Sequence, residues 1–151
     1  MKTVTATHVL ACVMIGCALG VCAFTFVYAR GHSYFTNDPA ACANCHVMEQ
    51  QLNAWVKSSH RNVAVCNDCH TPPGLVPKYI TKAQNGFMHS FAFTTGNYID
   101  PIQIKSRNRA VTETACRKCH QEMVAAIESP VGDAEPLSCI RCHLEVGHMT
   151  R

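Results

Sequence analysis

Large apolar side chains are scarce in most of this sequence. One Trp, 6 Phe and 4 Tyr stand in 151 residues, and aromatic residues make up 7% of the chain. Hydrophobic residues reach 48%, but much of that share sits between Val9 and Ala29. The remaining stretch of about 120 residues has too few Leu, Ile and Phe to build an ordinary side-chain core. Charge is scarce as well: Asp, Glu, Lys and Arg make up 15%, and the formal net charge is +3. That excludes the composition of a disordered chain. What the chain has in excess is 11 Cys and 9 His. Thiols at such density are committed to metals, cofactors or disulfides, which argues against a soluble cytosolic enzyme. Something other than side chains must fill the interior.

The run from Val9 to Ala29, VLACVMIGCALGVCAFTFVYA, is 21 residues without a charge. At 1.5 Å per residue it crosses a hydrocarbon layer roughly 30 Å thick. A cleaved signal peptide would have a shorter apolar core and a small-x-small site. Here Phe24, Phe26, Val27 and Tyr28 keep the run bulky to its end, which points to a retained anchor. Met14-Ile15-Gly16-Cys17 distantly resembles a lipoprotein cleavage box, but cutting there would discard half the span. Lys2 lies on one side and Arg30 and His32 on the other, a weak signal of orientation. The cysteine content decides it, placing the body outside the cytoplasm. Residues 1–30 are then a cytoplasmic tip and transmembrane anchor, and 31–151 a periplasmic domain. Cys12, Cys17 and Cys22 lie on different faces of the span and read as small apolar residues.

The other eight Cys form four copies of one motif: Cys42-Ala-Asn-Cys45-His46, Cys66-Asn-Asp-Cys69-His70, Cys116-Arg-Lys-Cys119-His120 and Cys139-Ile-Arg-Cys142-His143. Each reads as a site for covalent c-type haem, with two thiols bonded to the vinyl groups and the His beside them able to ligate iron. Zinc is the rival, since 20 residues separate the first two CxxC units and 19 the last two, within zinc-ribbon spacing. His after all four second cysteines separates the two readings. With 9 His in 151 residues, that coincidence has a chance on the order of one in 10^5, and a zinc ribbon has no need of it. Four macrocycles would supply the missing core, in a mostly α, haem-cored domain behind a single amino-terminal transmembrane helix. Irons packed so closely suit electron transfer.

Each iron wants two axial ligands. Beyond the motif His there remain His8, His32, His60, His89 and His148. His8 opens the span on the far side, and His32 follows it as an interfacial residue. Three His are left for four haems, so at least one iron is open, bound by another residue type, or completed by a partner. His60, six residues before Cys66, and His148, five after His143, are expected as distal ligands. Met48 stands two residues past His46, where the other motifs have Pro72, Glu122 and Glu145. It either fills a gap or gives the first haem a thioether ligand, which raises reduction potential.

Between Cys69 and Cys116, Pro77 to Phe93 reads as a helix stopped at Thr94-Thr95-Gly96. Lys78, Lys82, Asn85 and His89 recur at i, i+4, i+7 and i+11, giving one polar, basic face, while Tyr79, Phe87, Phe91 and Phe93 crowd the rest. This pattern fits a solvated stripe, or a helix lying on lipid headgroups. It also fits a membrane-level site for a quinol, with Lys82 binding its oxygen and His89 accepting a proton. Gly86 permits close approach of a flat ring.

The span, the four CxxCH units, Met48, His60, the Lys82–His89 helix and the closing Gly147-His148-Met149 together resemble the NapC/NirT/NrfH family of membrane-anchored tetrahaem quinol dehydrogenases. The short length and Met48 are most similar to the branch serving cytochrome c nitrite reductase. The resemblance implies Met48, rather than His46, as proximal ligand of the first haem, with His70, His120 and His143 proximal to the others. It implies His60 and His148 as distal ligands of the third and fourth haems, in either order. The second haem then lacks an internal distal group and takes a Lys from a catalytic subunit. It further implies a menaquinol site at Lys82 and His89; some relatives carry Asp in place of His89, so His89 ligates iron, takes the proton, or both. The expected function is oxidation of menaquinol in the cytoplasmic membrane, with electrons passed to a pentahaem nitrite reductase in a hetero-oligomer; nucleic acid is not an expected partner. The alternatives are delivery to another periplasmic reductase, for nitrate or trimethylamine oxide, and a membrane-tethered zinc protein.

Overall fold

A computed structural model describes residues 2–128 and 137–148; Met149 lies outside the described residues. Among those described there is no strand. The chain divides into two compact units, residues 1–36 and 37–151.

In the first unit α1 runs Lys2–Tyr28. It starts seven residues before the apolar run, because Thr3 to His8 continue the helix once it is under way. Thr5–Tyr28 is long and apolar enough to cross a membrane, with mean hydropathy 2.4, and none of it is buried within the chain. Arg30 turns the backbone left-handed at φ 50°, and a 3-10 turn, Gly31–Phe35, follows. Phe35 comes back against Phe26, with ring centroids 6.5 Å apart. A Cβ at Gly31 would collide with the Phe26 ring, so this return needs glycine. Residues 31–36 therefore group with the anchor, six residues beyond the boundary expected from the sequence.

The second unit contains α2 (Pro39–Cys42), a 3-10 turn (His46–Met48), α3 (Glu49–Val56), α4 (Cys66–His70), α5 (Leu75–Thr95), α6 (Ser106–Cys119), α7 (Gln121–Ile127) and α8 (Cys139–Cys142). Local chemistry sets several of these boundaries. Asp38 Oδ1 accepts from the Ala40 N–H at 2.9 Å, and Pro39 supplies the first helical residue of α2. Asp68 Oδ2 reaches back to the Val65 N–H at 2.9 Å and closes the start of α4. The long helix α5 begins two residues before Pro77, after Gly74 at φ 90°, and ends at Gly96, φ 70°. There the Asn97 N–H donates to the Ala92 carbonyl at 2.9 Å.

Polar links hold these helices together. Trp55 Nε1 donates to the Ala64 carbonyl at 3.1 Å, tying α3 to the segment before α4. Asn37 Oδ1 accepts from Asn67 Nδ2 at 2.8 Å and from Lys78 Nζ at 2.6 Å, joining the start of the unit to α4 and α5. Asn85 Oδ1 accepts from Arg107 at 2.7 Å and Asn108 at 3.2 Å, joining α5 to α6. Among the described residues Ala54 is the sole buried apolar side chain, and no large side chain is fully buried. The polypeptide thus contributes almost no core of its own.

Candidate functional site

The four motifs use helices in different ways. In the second, the whole of α4 is the motif, so Cys66, Cys69 and His70 lie on one face at i, i+3 and i+4. The third ends α6, with His120 as its cap, and the fourth is α8, with His143 as cap. The first is split: Cys42 ends α2, and His46 and Met48 share the following 3-10 turn. Two residues apart in such a turn, those side chains leave in different directions.

Cysteines of successive motifs lie near one another. The Cys42 and Cys66 thiols share a hydrogen bond, which pulls Cys42 down to about 7 and pushes Cys66 up. Burial first and Asp68 next raise the Cys69 thiol, and Cys119 of the third motif is close enough to add to it. Cys116 is raised to about 11 by burial and then by Cys139 and Cys69. The spatial order of the motifs is therefore first, second, third, fourth.

Two pairs of imidazoles face one another. His60 and His120 have ring centroids 6.1 Å apart at 67°, and His70 and His148 have centroids 6.1 Å apart at 8°. Two metal–nitrogen bonds of about 2 Å, plus the half-widths of two five-membered rings, span that distance. An iron with imidazole on both sides fits each pair. Ser59 Oγ engages His60 Nδ1 at 3.1 Å, which leaves Nε2 for such a bond. Burial, and then His148, keep the His70 pKa below its ordinary value.

The resemblance implied His60 and His148 at the third and fourth haems; here the His60 ring lies near His120 of the third motif and the His148 ring near His70 of the second. His143 is exposed.

Among the described residues no three His, Cys, Asp or Glu side chains converge closely enough to hold a metal ion. The donor set instead comes as separate thiol pairs and facing imidazoles, which is what covalent haem requires.

Lys82 is buried, 9% exposed, on α5. Its ammonium lies over the Tyr79 ring, 5.7 Å from the centroid, and near the Cys42 thiol of the first motif. Burial and then Lys78 push its pKa below the ordinary lysine value, against the pull of Cys42. His89 is seven residues on, about 10 Å along the same helix face. Part of its ring is packed, and that packing, with Lys105 nearby, lowers its pKa. The structure therefore sets Lys82 beside the first motif and His89 two turns away at a more open position. Met48 is half-buried in the turn after the first motif.

One positioning residue was invisible in the sequence. Glu113, on α6, accepts from Ser138 Oγ at 2.5 Å, from the Cys139 N–H at 2.8 Å and from the Ile140 N–H at 3.2 Å. It clamps the start of the fourth motif onto the helix that carries the third. Burial alone would raise its carboxyl, but these hydrogen bonds outweigh burial and hold it below the ordinary carboxylate range. No spacing rule links Glu113 to Ser138, because the contact is set only when α8 folds back.

Comparison with known proteins identifies the family. The cytochrome c-type protein NrfH of Wolinella succinogenes is 36% identical over 147 residues, covering 90% of this chain and 82% of that protein. The cytochrome c nitrite reductase subunit NrfH of Nitratidesulfovibrio vulgaris is 33% identical over 137 residues, covering 91% and 82%. The fold is similar to a chain in a crystal structure of the cytochrome c nitrite reductase NrfHA complex bound to the HQNO inhibitor. The TM-score is 0.64 at 31% identity, over 91% of this chain and 90% of that one. Residues 2–151 match the profile of the NapC/NirT cytochrome c family, N-terminal region. With CxxCH units in spatial series, facing imidazoles and almost no apolar core of its own, the chain belongs to the NapC/NirT cytochrome c family.

Proposed function

We propose that this protein is a membrane-anchored tetrahaem quinol dehydrogenase that oxidises menaquinol and passes the electrons to the catalytic subunit of a cytochrome c nitrite reductase. The observation that carries this reading is the serial order of the four motifs, with a buried Lys82 at the first of them. Haem c at each motif would supply a one-electron carrier, and four in series would carry electrons from the membrane to a partner.

Each pair of cysteines would bond one macrocycle. His70 and His148 would hold the second haem, and His60 and His120 the third, in keeping with the spacing of each pair of rings. Met48 would hold the first and His143 the fourth. By subtraction the fourth haem would be the one left for a Lys of the catalytic subunit.

Quinol oxidation releases two electrons and two protons. Lys82 donates a hydrogen bond to a quinol oxygen, helped by a cation that burial leaves short of water. His89 takes a proton, since its lowered pKa keeps the imidazole neutral near pH 7. The anchor helix sets this chemistry at the membrane, with the haem domain on the periplasmic side.

The first test is a pyridine-haem assay and a mass measurement on the purified chain. Four haems bonded at the eight motif cysteines are expected; a colourless folded chain would remove the reading. The second is menaquinol oxidation by the complex carrying Lys82→Gln or His89→Asn. Each should lower turnover by about tenfold or more with haem content unchanged, and normal turnover in both would move the quinol elsewhere.

A further inference from the structure

Among the described residues, those on the side of α5 opposite Lys82 are exposed. Thr81 and Lys82 are buried, and Asn85 bonds α6, so that face looks into the unit. At 100° per residue, Val76, Ile80, Phe87 and Phe91 lie diametrically across the helix from it. All four are exposed, Phe87 at 69%, and the Phe87 and Phe91 rings stack with centroids 6.3 Å apart. The chain that follows α5 continues the feature: Tyr98, Ile99 and Ile102 are exposed in the loop before α6. Lys105 and Arg109, both exposed, come directly after.

We propose that this stripe and the 98–104 loop form a second membrane contact, lying in the outer leaflet with Lys105 and Arg109 at anionic headgroups. The proposal rests on reading α1 as a membrane span. Eight residues, 29–36, separate α1 from the second unit and reach at most about 29 Å fully extended, so the lipid surface is always at hand. A helix with its polar face packed on protein and aromatic residues on the other suits the interface between headgroup and acyl chain. A basic cluster beside an apolar wedge favours an anionic leaflet over a protein groove as the occupant. The contact would hold α5 at the membrane surface, with its Lys82 face one helix diameter, roughly 10 Å, from the lipid that carries the quinol.

The test uses the haem-loaded complex in vesicles of zwitterionic and anionic phospholipid, doped with a lipid carrying a photoactivatable group on its acyl chain. Cross-linked peptides are then identified by mass spectrometry. Labelling is expected at α1 and also on peptides spanning Phe87–Phe91 and Tyr98–Ile104. Phe91→Asp and Ile99→Asp should each reduce that second labelling by about tenfold, with α1 labelling and haem content unchanged. Label confined to α1 would overturn the proposal while leaving the anchor standing, as would cross-links from the stripe to the catalytic subunit. A chain unlabelled even at α1 would overturn both. Omitting the anionic lipid should weaken the second labelling, and an unchanged yield would remove the headgroup contact.

Discussion

In the proposed function Met48, Lys82 and His89 each carry one role that a single substitution tests, and Glu113 holds the fourth motif to α6. Replacing Met48 with His should keep the first haem bonded through Cys42 and Cys45 but lower its reduction potential, because imidazole is a stronger donor to ferric iron than a thioether. A spectropotentiometric titration of the four haems reads that change. For His89 the expected signal is a pH profile. A base must be neutral to accept a proton, so quinol oxidation should rise with pH through the His89 pKa, at a midpoint below the ordinary histidine value. In Lys105→Gln one of the causes of that lowering is gone, and the rising limb should move to higher pH. Glu113 gives the opposite kind of signal. A carboxyl held low in the folded chain stabilises it above the ordinary carboxylate pKa and loses that contribution as pH falls toward the lowered value. Glu113→Ala should cost about 2 kcal/mol near neutral pH and nearly nothing in strong acid, measured by thermal unfolding of the haem-loaded chain.

Among the elements, α5 and α6 carry the most. They meet through Asn85, whose single carbonyl oxygen accepts from both Arg107 and Asn108. Asn85→Ala should destabilise the haem domain by about 1 kcal/mol and, by freeing α5, weaken quinol turnover more than haem content. Calorimetry beside a quinol assay would show the two effects separately. The helix itself could be read in the sequence, because Gly96 and the recurrence from Lys78 to His89 are local signals. Its start could not: Leu75 and Val76 enter the first turn ahead of Pro77 because Gly74 takes a backbone angle that no pattern announces. The reading of Asn85 as part of a basic stripe was likewise incomplete, since a stripe says which residues share a face and not which of them will find partners.

On the scale of the whole molecule, the scarcity of large apolar residues becomes a statement about folding. With Ala54 alone as buried apolar side chain among the described residues, the helices have little to collapse on except the macrocycles. The chain made without haem should therefore lack a cooperative thermal transition, which circular dichroism would detect, whereas the haem-loaded form should melt sharply. A sharp transition in the haem-free chain would show that polar links such as Trp55–Ala64 and Asn37–Asn67 suffice.

The sequence alone determined what depends on neighbours along the chain: the apolar span, the eight cysteines with their adjacent His, the long helix, and the shortage of His for four irons. Those features follow from spacing, and spacing is fixed before folding. Only the tertiary structure decided that His148 faces His70, 78 residues away, that the motifs stand in serial order, that Lys82 is buried beside the first, and that Glu113 clamps the last. Such pairings depend on where separate helices come to rest, and with so few apolar side chains to dictate the packing, no periodicity in the sequence encodes them.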